Sequence, residues 1–141
     1  MKILQTEIVL KPQPRGFHSI TDEILRQLPD GMADIKAGLC QIFIQHTSAS
    51  LSINEDADPS VRNDFESWFN QTVKEDEPIY THTYEGADDM PAHLKTALLD
   101  TSLLIPIRNG KLALGRWQGI YLGEHRNNAT ARKLLITVFG E

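Results

Sequence analysis

From Ser102 onward the chain carries only β-strand signals, and this restricts the fold more than any other feature. Ser102–Ile107 is an apolar run, Asn109-Gly110 is the strongest short hairpin signal a sequence can offer, and Lys111–Leu114 runs back. Gln118–Glu124 reads as a further strand, turned at Asn127-Asn128 into Arg132–Phe139. Upstream the order is strand, helix, strands, helix, loop, helix. Helices and strands that partly segregate along the chain imply an α+β class, not a doubly wound parallel sheet.

The upstream elements follow from local signals. Gln5–Leu10 reads as a strand that ends at Lys11-Pro12-Gln13-Pro14-Arg15-Gly16, where two prolines and a glycine prevent regular pairing. Ser19 with Asp22 resembles a capping box before a short helix, whose stripe Ile20, Ile24, Leu25, Leu28 stops at Pro29-Asp30-Gly31. The run around Leu39–Gln45 is apolar at nearly every position, which predicts a strand covered on both faces. Asp58 is placed as an N-cap and Pro59 as the first residue of a helix, where its missing N–H costs nothing. Val61, Phe65, Trp68, Phe69 and Val73 give that helix one wide stripe, and Pro78 ends the segment. Ile79–Asp89 is polar and reads as a loop. Asp89 and Pro91 start a third helix with Leu94, Ala97 and Leu98 expected inward.

Composition narrows the function. With 141 residues the chain is expected to form a single domain. Its net charge of −5 argues against nucleic acid or an anionic membrane as partner, since phosphate neutralisation needs a basic field. No stretch approaches the length of a membrane span, and the first residues meet a charge too early for a signal core, so a cytoplasmic location is expected. Cys40, the one cysteine, excludes an internal disulfide and reads as a core thiol.

The densest polar cluster lies between Gln45 and Pro59. It holds His46, the hydroxyls of Thr47, Ser48, Ser50 and Ser52, the Asn54 amide, and the carboxylates Glu55, Asp56 and Asp58. Its position at the exit of an apolar strand suggests a ligand site to which His82 and His93 are brought. Three imidazoles from a strand end, a loop and a helix start suit a metal with an open coordination position. The plainer reading leaves each histidine hydrogen-bonded on its own, and no tight His-x-x-x-His pair is present. Glu55, Asp56 and Asp58 suit Mg²⁺ before a phosphorylated ligand, or simply the N-terminus of a helix. Ser50 and Ser52 are read either as anion donors or as one face of a short strand. Trp117 is read either as packing or as a stacking surface for a flat heteroaromatic ligand oriented by Gln118. Arg108, Arg116 and Arg126 sit at turns as candidate anion contacts. Neither a Gly-x-Ser-x-Gly elbow nor a phosphate-binding Gly-x-x-x-x-Gly-Lys loop occurs.

Taken together, His46-Thr47-Ser48-Ala49-Ser50-Leu51-Ser52-Ile53-Asn54-Glu55, Asp58-Pro59, Tyr84 to Lys95, Gly115-Arg116-Trp117-Gln118-Gly119-Ile120 and Gly140-Glu141 resemble the YjbQ family, also labelled UPF0047 and secondary thiamine-phosphate synthases. The resemblance runs from about Arg15 to the last residue. It implies a mixed, largely antiparallel sheet curved into a half-barrel with helices packed on one side, and assembly as a homotrimer. It implies a site near a subunit boundary that collects His46, His82 and His93 as ligands of a divalent metal, Zn²⁺ or Mg²⁺, or as contacts to phosphate. The implied activity joins a thiazole phosphate to a pyrimidine diphosphate, giving thiamine phosphate and diphosphate. Two positions depart from the family pattern: Arg116 stands where threonine is usual, and Gly123 where cysteine is common.

The expectation is therefore a metal-assisted enzyme acting on a small phosphorylated heterocycle. Glu55, Asp89, Trp117 and Gln118 are the groups expected around the reacting molecule, and His46, His82 and His93 those around the metal. Two alternatives stand beside it: a trimeric metabolite- or metal-binding module without primary catalysis, and a metal-dependent hydrolase.

Overall fold

A computed structural model describes all 141 residues. The elements in chain order are β1 (Lys2–Leu10), β2 (Gly16–Ser19), α1 (Thr21–Leu25), β3 (Ala37–Ile44), β4 (Ala49–Glu55), α2 (Pro59–Thr72), α3 (Asp89–Leu98), β5 (Ser102–Arg108), β6 (Lys111–Leu112), β7 (Gln118–Glu124) and β8 (Arg132–Gly140). The strands form a five-stranded sheet, β1-β8-β3-β5-β6, and a three-stranded sheet, β2-β7-β4. Together they curl as a half-barrel around one apolar core, so the α+β class and curved sheet agree with expectation. The expected mixture of strand directions does not occur: each pairing is antiparallel. No helix is long and apolar enough to cross a membrane.

The core lies between the sheets. Cys40, Ile42 and Ile44 of β3 and Leu134, Ile136 and Val138 of β8 meet Ala49 and Leu51 of β4 and Ile120 and Leu122 of β7. Burial pushes the Cys40 thiol up to about 11, which leaves it an inert core group. The Asn109-Gly110 turn forms as read, with positive φ at both residues, and pairs Ile107 with Leu112.

Three local expectations fail for tertiary reasons. β3 is covered on one face only: Gln41 and Phe43 point outward, because antiparallel sheets can leave a face open. Ser19 does not cap α1 but ends a short strand, β2, and donates to Asp56 Oδ2 at 2.7 Å. α3 turns its polar side inward, with Ala92, Lys95 and Thr96 buried while Ala97 and Leu98 are exposed.

That polar side fits the layer between the three-stranded sheet and the helices. α2 packs on β2 and α3 on β4, over a strand face of small and polar residues. There Ser50 Oγ lies 2.8 Å from His125 Nε2, and Lys95 Nζ donates to Asn70 Oδ1 at 2.7 Å. Arg15 donates to the same Asn70 oxygen at 2.7 Å and to Glu75 at 2.6 Å. Burial, reinforced by the positive Lys95, Arg132 and Arg15, pulls the His125 imidazole down to about 3, so it is neutral near pH 7. An unfolded histidine titrates near 6.5. Between those values the unfolded chain binds the extra proton, so stability is full above pH 6.5 and declines as pH falls toward 3, by up to ~1.4 kcal/mol per unit. Half-buried His46, whose imidazole is also held below its ordinary value, acts in the same sense. Urea unfolding between pH 7 and 4 is expected to show this slope, and His125→Phe is expected to flatten it.

Candidate functional site

The chain turns back on itself at Gly86, whose φ of +112° favours glycine, and so delivers Asp88 and Asp89 to the start of α3. Asp88 occupies the N-cap position without capping the helix. Its carboxylate instead accepts from Arg126 Nε and from the Asn127 amide, both at 2.8 Å. Those contacts, partly offset by burial, hold it below the usual carboxylate range. The Arg126 guanidinium also donates to Asp89 Oδ1 at 2.6 Å and to the Glu85 carbonyl at 2.9 Å. Each nitrogen of this guanidinium donates once, two of them to carboxylates, so it acts first as a clamp on Asp88 and Asp89.

Asp89 is almost fully buried, with 2% of its side chain exposed. Its Oδ2 faces His82 Nε2 at 2.8 Å and His93 Nε2 at 3.1 Å. The three ligating atoms lie within 4.8 Å of one another. The other nitrogen of His93 donates to the Thr47 carbonyl at 2.8 Å. That bond assigns the Nδ1 proton, because a carbonyl only accepts. A neutral His93 then presents a bare Nε2 lone pair toward a carboxylate, which is repulsive unless a second proton or a cation lies between them. Bonds of about 2.0–2.1 Å to a shared ion place neighbouring donors roughly 3–3.4 Å apart, close to the two separations from Asp89 Oδ2, 2.8 and 3.1 Å.

The third expected imidazole is elsewhere. His46 Nε2 accepts the Lys133 amide at 2.8 Å, which commits its lone pair, and Arg132 approaches Nδ1 at 3.3 Å. Burial and the Arg132 charge lower its pKa, consistent with a neutral structural ring. Within one chain the structure brings His82 and His93 together on Asp89, with the Thr47 carbonyl behind His93, and leaves His46 bonded apart from them.

Glu55, Trp117 and Gln118 are not at this site either. They lie at the far ends of β4 and β7, whose register pairs Glu55 with Gln118 and Ala49 with Glu124. A seven-residue strand separates the two ends by about 20 Å. Glu55 accepts the Asp58 amide, Asp58 caps α2 through Ser60 at 2.9 Å, and Gln118 closes a turn onto the Gly115 amide at 2.7 Å. Trp117 is exposed, with the Arg116 guanidinium 4.9 Å over its ring. The residues missed in the sequence are Arg126 as a clamp and the buried pair Glu124–Arg132, joined at 2.6 Å. Arg132 also donates to the Ser48 carbonyl and hydroxyl, and so holds the loop that presents the Thr47 carbonyl. The available signal was a cluster of charges, Glu124 to Arg126, directly after an apolar strand.

Beside His82 lies a small cavity of about 100 Å³, lined also by Asp76, Glu77, Tyr80, Thr83 and Met90. His82 and His93 keep 49% and 30% of their side chains exposed, so the cluster is open to solvent. The widest depression, about 610 Å³ between Pro12–Arg15 and Asn127–Ala129, carries no imidazole or carboxylate. Arg126→Ala leaves Asp89 buried without its counter-charge, and is expected to lower stability by about 2–4 kcal/mol in urea unfolding. Arg126→Lys recovers only part of that, because one ammonium cannot span both carboxylates.

Comparison with known proteins gives a consistent grouping. The YjbQ-like UPF0047 family profile matches residues 6–141. The UPF0047 protein YjbQ of Salmonella typhimurium is 52% identical over 137 residues, covering 97% of this chain and 98% of that protein. A crystal structure of a YjbQ/UPF0047 protein from Clostridium acetobutylicum superposes with a TM-score of 0.80 at 33% identity, covering 95% of this chain and 99% of the other. A YbjQ-like protein of unknown function from Sulfolobus solfataricus shares the fold, with a TM-score of 0.84 at 24% identity over 99% of both chains.

Proposed function

The chain belongs to the UPF0047 family of YjbQ-like proteins, and we propose that His82, Asp89 and His93 bind one divalent transition metal as the centre of its activity. The observation that carries this reading is the double bonding of His93. Its Nδ1 is fixed on the Thr47 carbonyl while its Nε2 faces Asp89 Oδ2. Two imidazole nitrogens and one carboxylate favour Zn²⁺, or a similar ion, over Mg²⁺, which prefers an all-oxygen shell. Such an ion supplies Lewis acidity toward a phosphoryl or carbonyl oxygen. The protein's own part is to orient the donors: Arg126 holds Asp89, and the Thr47 carbonyl fixes the tautomer of His93.

The substrate we propose is a small phosphorylated metabolite. The thiamine-phosphate condensation implied by the family resemblance is one reaction of that kind. It draws little support from the side chains, since Arg126 is committed to Asp88 and Asp89, Asp76 and Glu77 line the adjoining cavity, and Trp117 and Gln118 are remote. A metal-dependent hydrolase uses the same centre equally well. Zn²⁺ titrated calorimetrically into chelator-treated protein is expected to bind one ion per chain. His93→Ala and Asp89→Asn are each expected to weaken it at least about tenfold. No uptake by the unaltered protein ends this reading.

Assembly into a trimer is part of the proposal. The outer face of the five-stranded sheet exposes Ile3, Val9, Phe43 and Leu104, which water disfavours on a monomer when clustered on one face. Light scattering on the eluted protein is expected to give three chains, and Phe43→Glu with Leu104→Glu to give one. A monomeric parent at micromolar concentration defeats it.

A further inference from the structure

The helix α2 carries an aromatic stripe yet buries none of its residues completely. The reason lies in the strand face beneath it. β4 presents Ser50, Ser52 and Asn54 on that side, paired with Gly123, Tyr121 and Gly119 of β7, so most of the face is short. The rings of Phe65 and Phe69 reach Phe17 of β2, at centroid distances of 5.5 and 5.6 Å, and leave the adjoining space unfilled. What remains is a cavity of about 220 Å³ bounded by Phe17, Phe65, Phe69 and Leu99, with Ser52 and Asn54 from the sheet. For scale, an apolar protein cavity of about 150 Å³ accommodates benzene.

Its polar groups are as informative as its walls. Asn54, exposed at the cavity rim, accepts the Glu55 amide at 2.8 Å through Oδ1 and keeps its Nδ2 free of any partner in the chain. The half-buried Ser52 hydroxyl has no hydrogen bond within the fold either, although Ser50, two residues earlier, is engaged by His125. No ionisable side chain lines the cavity. Aromatic walls with a hydroxyl and an amide on one side, and no charge, select a flat, neutral molecule that carries a hydrogen-bonding edge. From this we infer that the cavity between α2 and the three-stranded sheet is a second ligand site, distinct from the imidazole cluster, for a single-ring neutral heteroaromatic molecule. The ring stacks among Phe17, Phe65 and Phe69, and its polar edge meets Ser52 Oγ and Asn54 Nδ2.

The test uses two probes on the full chain, 2-pyridone, which carries an adjacent donor and acceptor, and toluene, which carries neither. Backbone amide NMR locates binding and titration gives affinity. Saturable 2-pyridone binding with shifts centred on Ser52, Asn54 and Phe69 is expected, tighter than toluene by at least fivefold. Ser52→Ala is expected to erase that preference without weakening toluene. Ser52→Leu is expected to block both probes, and retained amide dispersion in the variants shows that they still fold. Toluene binding as tightly as 2-pyridone, binding of neither, or 2-pyridone binding unchanged in Ser52→Leu overturns the proposal and leaves the cavity a packing void.

Discussion

The antiparallel register of β4 against β7 is the constraint on which both ends of the molecule depend. Ala49 opposite Glu124 and Glu55 opposite Gln118 leave no freedom in what each end contains, since a slip of one residue would turn every side chain to the other face. At one end the register sets the buried Glu124–Arg132 pair against the Ser48 loop, and Arg126 against the first turn of α3. At the other it leaves turns and caps. The imidazole cluster lies at one end because there a loop carbonyl, a clamped carboxylate and two imidazoles converge.

Charge burial explains why that end is so tightly bonded. Asp89 and Glu124 are almost completely removed from water. Carboxylates in such positions are tolerated only when paired and hydrogen-bonded. Each has an arginine that donates through more than one nitrogen to its surroundings, and a planar guanidinium is suited to this where an ammonium is not. The two imidazoles on Asp89 Oδ2 are then left with the half of the carboxylate that the arginine does not use. The same economy accounts for His46, whose lone pair serves the Lys133 amide and so stitches the loop to β8.

The layer between the small sheet and the helices follows a different rule from the core between the sheets. The core is filled by aliphatic side chains, whereas the helix-facing layer mixes aromatics with Ser50, His125, Lys95 and Asn70. Buried polar atoms there, His125 Nδ1, Arg15 Nε and Glu66 Oε2, make no hydrogen bond, although Arg15 Nε stands 3.5 Å from Glu66 Oε1. A sheet face of glycine and serine cannot interdigitate with helix rings as branched residues would, and a cavity lined by Phe17, Phe65 and Phe69 remains in this layer.

The strands from Ser102 onward, the Asn109-Gly110 turn and the Asp58-Pro59 helix start were legible in the sequence, because each depends on backbone preferences acting over a few residues. So was the approach of His82 to His93, from an expected loop and an expected helix start. Placing Glu55, Trp117 and Gln118 with them failed because Ala49–Glu55 is itself a strand, and extended chain carries neighbours in sequence far apart in space. The inward polar side of α3 and the role of Arg126 were also hidden, since both are set by partners dozens of residues away. The sequence by itself determined where the chain bends, pairs and starts its helices. Only the tertiary structure decided which charges meet, because burial makes a charge demand a partner and says nothing about where along the chain that partner lies.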